Sequence, residues 1–87
     1  MGSYRVEAWP SAARELASLD SVGDRNRISD AISRLAVVPR PVGCQKLRGP
    51  DSLYRIRLGR FRVVYAISDT SRTLTIVAIG DRKDVYR

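Results

Sequence analysis

The 87-residue sequence contains no histidine and a single cysteine, Cys44. Without histidine the chain lacks the commonest protein ligand for zinc and the usual acid–base group near neutral pH. One cysteine allows neither an intramolecular disulfide nor a thiolate metal cluster, so we expect no bound metal and no cofactor. Any catalysis by this chain must therefore use other side chains.

Long apolar segments are also missing. No apolar run approaches the ~20 residues that span a bilayer, and the N-terminus lacks the apolar stretch of a secretory signal. We therefore expect a cytoplasmic protein that does not enter a membrane. The length suits one compact domain over residues 1–87 rather than two. Gly2 and Ser3 resemble the remnant of a cloning vector, so we base nothing on them.

Positive charge is unevenly distributed along the chain. Residues 1–39 contain five basic and five acidic side chains, whereas residues 40–87 contain eleven basic and four acidic ones, which accounts for the net charge of +7. Fourteen of the sixteen basic residues are arginine, whose planar fork matches phosphate oxygens and stacks on bases. The charge favours a nucleic-acid partner, with an acidic protein partner or simple solubility as the alternatives.

The first half of the sequence predicts a strand followed by a helical hairpin. Residues 4–9 alternate and contain β-formers, and Pro10 ends this segment. Ser11 and Asp24 are the predicted N-caps of two helices, and Pro39 and Pro41 prevent the second helix from continuing. Two apolar sets at helical spacing define these helices. They are Ala12, Ala13, Leu16 and Leu19, and then Ile28, Ala31, Ile32 and Leu35.

From residue 53 onward the apolar period changes to two. Residues 53–58, 61–68 and 73–79 predict three strands, joined by the loop Gly59-Arg60 and by a polar turn at residues 69–72. Residues 45–49 are predicted to add a short strand before them. The sequence therefore predicts an α+β fold, with an N-terminal strand, a helical hairpin and an antiparallel meander that the helices cover on one face.

A two-residue loop at Gly59-Arg60 would fix the pairing of the first two meander strands. Leu58 then lies opposite Phe61, and the pairs continue to Tyr54 opposite Tyr65, which puts the apolar side chains on one face. The opposite face receives three arginines, spaced about 7 Å along one strand and about 5 Å across the pair. They are Arg55, Arg57 and Arg62.

Like charges directly opposite each other destabilise a sheet by up to ~1 kcal/mol per pair. Phosphate oxygens placed among three guanidiniums would offset that cost, so we predict a solvent-facing anion site on this face. The alternative is that the arginines splay into water or are neutralised by Asp81 or Asp84. After the last strand, Arg82 and Tyr86 could bend over the same face, where the tyrosine ring would stack on an RNA base. A tyrosine that fills the core is the alternative reading of Tyr86.

Five short segments, in this order and after two helices, make the chain resemble the RelE-like toxins of toxin–antitoxin systems over nearly its whole length. These segments are residues 46–49 (KLRG), 54–58 (YRIRL), 61–65 (FRVVY), 79–82 (IGDR) and 85–86 (VY). The resemblance implies an endoribonuclease that cleaves messenger RNA in the ribosomal decoding site, together with a RelB-like antitoxin as partner.

The resemblance also implies roles for individual residues. Arg55, Arg57, Arg62, Arg82 and Tyr86 match the catalytic set, although the best-known member has lysines at the first two positions and a slightly longer spacing before the tyrosine. Lys46 and Arg48 match a basic pair expected near the RNA. Arg60 and Lys83 complete the predicted RNA-binding set, which consists of Lys46, Arg48, Arg60 and Lys83.

Such an enzyme needs no histidine, because the ribose 2′-hydroxyl attacks the adjacent phosphorus and leaves a 2′,3′-cyclic phosphate and a 5′-hydroxyl. Arginine can orient and stabilise the phosphate, but its guanidinium stays protonated up to at least pH ~12 and does not accept a proton. The identity of the general base therefore stays open. Arg57 could polarise the 2′-hydroxyl, Glu7 or Tyr86 could assist, or the ribosome could contribute by arranging the message. Two rival functions also stay open. They are gyrase inhibition of the ParE type, without RNA cleavage, and a binding module that has lost activity.

Overall fold

The computed structural model describes residues 3–47, 49 and 53–81. Its elements confirm the predicted α+β fold, and the last strand extends to Asp81 rather than ending at Ile79. In chain order they are β1 (Arg5–Ala8), α1 (Pro10–Ala17), α2 (Val22–Leu35), β2 (Gln45–Lys46), β3 (Leu53–Leu58), β4 (Phe61–Ser68) and β5 (Thr73–Asp81).

Within the described residues, five strands form one sheet in the order β1-β5-β4-β3-β2. The pairs β3–β4 and β4–β5 are antiparallel, as predicted, and β2 also pairs antiparallel with β3. β1 instead pairs in parallel with β5, with Arg5 opposite Thr73, so the sheet is mixed. The pairing of β4 with β5 contains a bulge, because Val64 lies opposite Ala78 whereas Tyr65 lies opposite Ile76. Val77 is the extra residue of this bulge.

Both helices begin earlier than predicted. α1 starts at Pro10, whose fixed φ and missing N–H suit the first position of a helix. α2 is capped by Ser21, whose hydroxyl accepts the N–H of Asp24 at 3.2 Å. The predicted caps Ser11 and Asp24 are therefore wrong. Asp24 lies in the first turn of α2, where a negative charge complements the helix dipole.

The two helices cover one face of the sheet, and the predicted register of β3 and β4 is confirmed at every pair from Leu58–Phe61 to Tyr54–Tyr65. Gly59 has a φ of 64°, which the first position of a type II′ loop requires. The buried core lies between helices and sheet. It consists of Ala12, Ile28, Ala31, Leu35, Tyr54, Ile56, Phe61, Val63, Tyr65, Ile67, Leu74, Ile76 and Ile79.

Two stacked tyrosines fasten the segment after α2 to the sheet. The Tyr65 hydroxyl donates to the Pro39 carbonyl at 2.7 Å, and its ring lies 6.0 Å from that of Tyr54. The Nε of Arg40 donates to the Tyr54 hydroxyl at 3.1 Å. Burial raises the pKa of Tyr65 above its usual value, so this hydroxyl remains a donor at neutral pH.

An exposed ion cluster then joins this segment to the turn between β4 and β5. The carboxylate of Asp69 accepts the Tyr4 hydroxyl at 2.6 Å and the Nη2 of Arg40 at 3.0 Å. These two donors lower the pKa of Asp69, and the carboxylate in turn raises the pKa of Tyr4. The cluster fixes the N-terminus, the segment after α2 and the β4–β5 turn to one another.

Candidate nucleic-acid interface

Three arginines share the face of the sheet that lies opposite the helices, which we call the outer face. Arg57 pairs directly with Arg62, and Arg55 lies two residues before Arg57 on β3. Their neighbours Tyr54, Ile56 and Val63 belong to the core on the other face. Since side chains alternate along a strand, the pleat that buries the core also gathers the arginines.

The arginines are less exposed than the sequence indicated. Arg57 is exposed, but Arg55 and Arg62 each retain only 7% of their exposure, and the Nε atoms of both are buried. The prediction of a wholly solvent-facing patch is therefore wrong for these two side chains. Arg55 lies between β2 and β4, and Arg62 lies between β3 and β5, so each stem has neighbours on both sides and can bury its methylenes. Arg57 lies beyond the end of the β2 pairing.

The other neighbours of the arginines on β4 and β5 are small or apolar on the outer face. Val64 pairs with Arg55 and is 7% exposed, while Gly80 lies opposite Arg62 on β5 and adds no side chain there. A planar guanidinium in such a setting interacts strongly with an anion because little water screens the charge. The arrangement suits the binding of a phosphodiester across β3 and β4.

Lys46 is not brought to the arginines. It pairs with Tyr54, whereas its neighbour Gln45 pairs with Arg55, and residues directly opposite each other project to the same face. Gln45 therefore extends the outer face at its β2 edge, and Lys46 projects to the side of the core. Gln45 was not predicted from the sequence, because a two-residue strand has too few residues for its alternation to be recognised.

Arg60 also lies apart from the three arginines. Its guanidinium carbon is 5.1 Å from the centroid of the Phe61 ring, and Phe61 is part of the core face. A cation–π contact of this kind holds the side chain over the β3–β4 loop. Arg60 is thus placed at the end of the hairpin and not on the outer face.

Four further predicted site residues lie outside the described part of the chain: Arg48, Arg82, Lys83 and Tyr86. The same holds for Asp84 and for the side chain of Asp81, the two carboxylates considered as neutralising partners. The convergence of the tail on the outer face therefore stays a prediction. β5 ends beside the arginines, since Gly80 pairs with Arg62 and Asp81 with Phe61.

Glu7 is distant from the arginines. It lies on β1, with β5 and β4 between it and β3, which corresponds to about 14 Å across the sheet. Its carboxylate is 3.5 Å from the Nε of Arg5, and both side chains are well exposed. The sheet order therefore does not support the hypothesis that Glu7 assists the 2′-hydroxyl. The position of β1 in the sheet was not predictable from the sequence.

Glu15 on α1 holds the end of β5 that adjoins the arginines. β1 leaves β5 at Trp9, whose N–H donates to the Ile76 carbonyl at 2.9 Å. Beyond that point the Ile79 N–H donates to the Glu15 Oε1 at 2.9 Å. A helix side chain thus replaces the missing strand partner. This bond gives β5 a fixed path toward Gly80.

The described residues contain no group of three or more histidine, cysteine or acidic side chains that could hold a metal ion. Neither helix of the described chain has the length and apolarity needed to cross a membrane.

The chain is similar to known toxins over almost all of its length. A protein of Methanocaldococcus jannaschii that carries the toxin name RelE1 is 28% identical, and the match covers 97% of this chain and 96% of that protein. A chain of the archaeal RelE–RelB complex from Pyrococcus horikoshii OT3 has a TM-score of 0.83 at 28% identity, covering 95% of this chain and 99% of that one. The isolated E. coli RelE toxin has a TM-score of 0.78 at 26% identity, covering 91% and 84%.

The family described as the ParE toxin of the type II toxin–antitoxin system, parDE, matches residues 6–86. This match spans both helices and all of the sheet except Arg5, and the RelE structures share the same fold. The resemblance inferred from the short segments is thereby confirmed. The chain belongs to the ParE toxin family of type II toxin–antitoxin systems, within the wider group of RelE and ParE toxins.

Proposed function

We propose that this toxin is a ribosome-dependent endoribonuclease that cleaves messenger RNA and so inhibits translation. The observation that carries the proposal is the set of three arginines, Arg55, Arg57 and Arg62, held on one face by two paired strands. The similarity to RelE toxins adds support. A cluster of guanidiniums on a rigid sheet suits a reaction whose transition state gathers negative charge on phosphate oxygens.

In the proposed reaction the ribose 2′-oxygen forms a bond to the adjacent phosphorus, and the bond from phosphorus to the 5′-oxygen breaks. The products are a 2′,3′-cyclic phosphate and a 5′-hydroxyl, and the proton lost by the 2′-hydroxyl is balanced by the proton gained by the leaving oxygen. Arg62 and Arg55 bind the phosphate oxygens. Arg57 hydrogen-bonds the nucleophile and positions it in line with the leaving group, while its guanidinium stays protonated.

The remaining predicted residues act around this centre. Arg82 adds a further phosphate contact, and Tyr86 stacks on an unstacked base of the message. Arg48 and Lys83 neutralise more distant phosphates, which strengthens binding without selecting a base. The ribosome contributes the extended conformation of the message.

We further propose that a RelB-like antitoxin holds the toxin inactive. The net charge of +7 favours a partner with an acidic segment, because complementary charge speeds association and orients the two surfaces. The site of action is the cytoplasm, where ribosomes translate the message.

Cleavage on programmed ribosomes tests the nuclease proposal. The toxin should cut ribosome-bound message, and the 5′ fragments should end in a 2′,3′-cyclic phosphate. A message with one 2′-deoxynucleotide at the mapped cut should stay intact there, because the nucleophile is missing. RNA that is bound but never cut at any toxin concentration would instead indicate a binding module without activity.

A second candidate function is inhibition of DNA gyrase without RNA cleavage. The match of residues 6–86 to the ParE toxin family favours it. A gyrase supercoiling assay run beside the translation assay separates the two. Loss of supercoiling with normal translation would establish the ParE-like activity and refute the nuclease.

A further inference from the structure

A second feature of the outer face is an open groove of about 650 Å³. Its floor is built from small or apolar side chains of the three central strands, and the exposed indole of Trp9 forms one wall. Among the residues that line it are Leu53, Ala66, Thr75, Val77 and Asp69. The nuclease mechanism proposed above makes no use of this groove.

The groove and the arginines form one continuous surface. Leu53 on the groove floor lies two residues before Arg55 on the same face of β3, which is about 7 Å along the strand. Leu53 pairs with Ala66, and Ala66 pairs with Thr75, so these three residues form a row parallel to the rows that hold the arginines. A nucleotide whose phosphate binds Arg55 can therefore place its base in the groove, because the groove begins about 7 Å away.

Trp9 is held by its backbone with its side chain outside the core. Its N–H donates to the Ile76 carbonyl at 2.9 Å and its carbonyl accepts the Ala13 N–H at 3.0 Å. The side chain nevertheless keeps 53% of its exposure. A large aromatic ring gains considerable free energy when it is covered, so an exposed indole on a fixed backbone is a suitable stacking surface for a flat ligand.

The charge around the groove favours a nucleotide oriented in one direction. Arg55, Arg57 and Arg62 attract phosphate at one end, whereas Asp69 lies at the opposite end of the groove. The carboxylate of Asp69 is engaged by Arg40 and Tyr4, which limits its repulsion of an approaching anion. A polyanion would thus bind with its backbone over the arginines and its base toward Trp9.

We propose that this groove receives a base of single-stranded RNA next to the scissile linkage, and that Trp9 stacks on that base. This proposal rests on the proposed nuclease function, in which the neighbouring arginines bind the scissile phosphate. It adds a substrate contact in the N-terminal half of the chain, which is otherwise a charge-balanced scaffold. Stacking on an aromatic ring tolerates any base, because every base has a π-face.

Trp9 is the single tryptophan of the chain, so its fluorescence reports on the groove directly. The test is a titration of the 87-residue chain at low salt with a single-stranded, uniformly 2′-O-methylated oligoribonucleotide, which cannot be cleaved because the nucleophile is blocked. We expect saturable quenching of the emission. Absence of saturable quenching would overturn the proposal.

Variants give a second readout, the anisotropy of a labelled oligonucleotide of the same kind. Trp9→Ala should weaken binding about 5- to 150-fold, the range expected for the loss of one stacked base, and Trp9→Phe should recover most of the affinity. Val42→Ala is the control, because Val42 is an equally apolar and fully exposed residue that does not line this groove. Equal affinity of Trp9→Ala and the unchanged chain would also refute stacking.

Two further outcomes separate this inference from the nuclease proposal. Quenching without any cleavage on ribosomes would refute the nuclease and leave the stacking contact in place. Normal cleavage without quenching would refute the stacking contact alone. If the emission responds to an antitoxin peptide but not to the oligonucleotide, the groove is a protein-binding surface and the RNA proposal is wrong.

Discussion

Neighbouring residues of β4 serve the two faces of the sheet in different ways. Val63 faces the helices and is fully buried in the core, whereas Arg62 faces outward beside Arg57 and Gly80. One strand thus contributes apolar packing on one side and positive charge on the other. The pleat keeps these contributions apart, so the site can carry repelling charges without placing any of them in the core.

Two of the outer-face arginines are as deeply buried as residues of the core. Arg55 and Arg62 are 7% exposed, close to the 8% of the core residue Ile56. Buried side chains have few rotamers available, so these guanidiniums lose little further entropy when they bind a phosphate. The outer face is therefore an ordered binding surface, and the repulsion between Arg57 and Arg62 is a cost that the core must offset.

Substitutions at two neighbouring residues of β4 that face opposite sides of the sheet should have strong and different effects. Arg62→Ala should reduce single-turnover cleavage on programmed ribosomes by on the order of a thousandfold, because a desolvated charge contact to the transition state is lost. Val63→Ala should instead lower the free energy of unfolding by about 2 kcal/mol and leave cleavage by the folded fraction nearly unchanged. Arg14→Ala, at an exposed position of α1, controls for loss of charge. Equal losses of cleavage in both β4 variants would contradict the separation of the faces.

Arg57 differs from Arg62 within the outer face, because Arg57 is exposed whereas Arg62 is buried. Water screens an exposed charge, so Arg57→Ala should reduce cleavage about a hundredfold, less than Arg62→Ala. Arg57→Lys should retain more activity and should cleave faster as pH rises, since a lysine can lose its proton and act as a base. Equal rates for Arg57→Ala, Arg57→Lys and the unchanged chain would exclude any role for this side chain.

The meander and its arginines could be predicted from the sequence because both depend on local patterns. A two-residue loop with a glycine at its first position fixes the register, and alternation then assigns Arg55, Arg57 and Arg62 to one face. The confirmed pairs from Leu58–Phe61 to Tyr54–Tyr65 follow from these two facts. The resemblance to RelE-like toxins, which rests partly on residues 54–58 and 61–65, indicated the same two strands.

Features that depend on distant parts of the chain were not predictable. The parallel pairing of β1 with β5 joins residues from the first and the last parts of the sequence. This pairing determines how far Glu7 lies from the arginines and places Trp9 beside the groove. The burial of Arg62 depends on strands on either side of β4, which no local pattern encodes. The sequence indicated the charge of the site but not its solvent exposure.

Glu15 allows the outer face to be perturbed from the helix side. Glu15→Ala removes the acceptor for the Ile79 N–H, so unfolding should become easier by about 1 kcal/mol. Amide hydrogen exchange at Ile79 should become faster, because β1 has no residue paired there. Glu15→Gln keeps an acceptor oxygen and should stay close to the unchanged chain in both measurements. Unaltered exchange at Ile79 in Glu15→Ala would show that the carboxylate does not hold β5.

The ion cluster around Asp69 lies at the end of the groove remote from the arginines, so its removal should change stability without displacing the arginines. The pKa of Asp69 is lowered on folding, so its contribution is present above about pH 4, the unfolded value, and disappears as pH falls through the lower folded value. The pKa of Tyr4 is raised, so its contribution is present below about pH 10 and disappears as pH rises through the higher folded value. Asp69→Asn should flatten both limbs of a plot of melting temperature against pH, whereas Asp30→Asn, at an exposed position of α2, should not. Both effects should be small because the groups are exposed, and a changed cleavage rate in Asp69→Asn at neutral pH would show that the cluster also shapes the outer face.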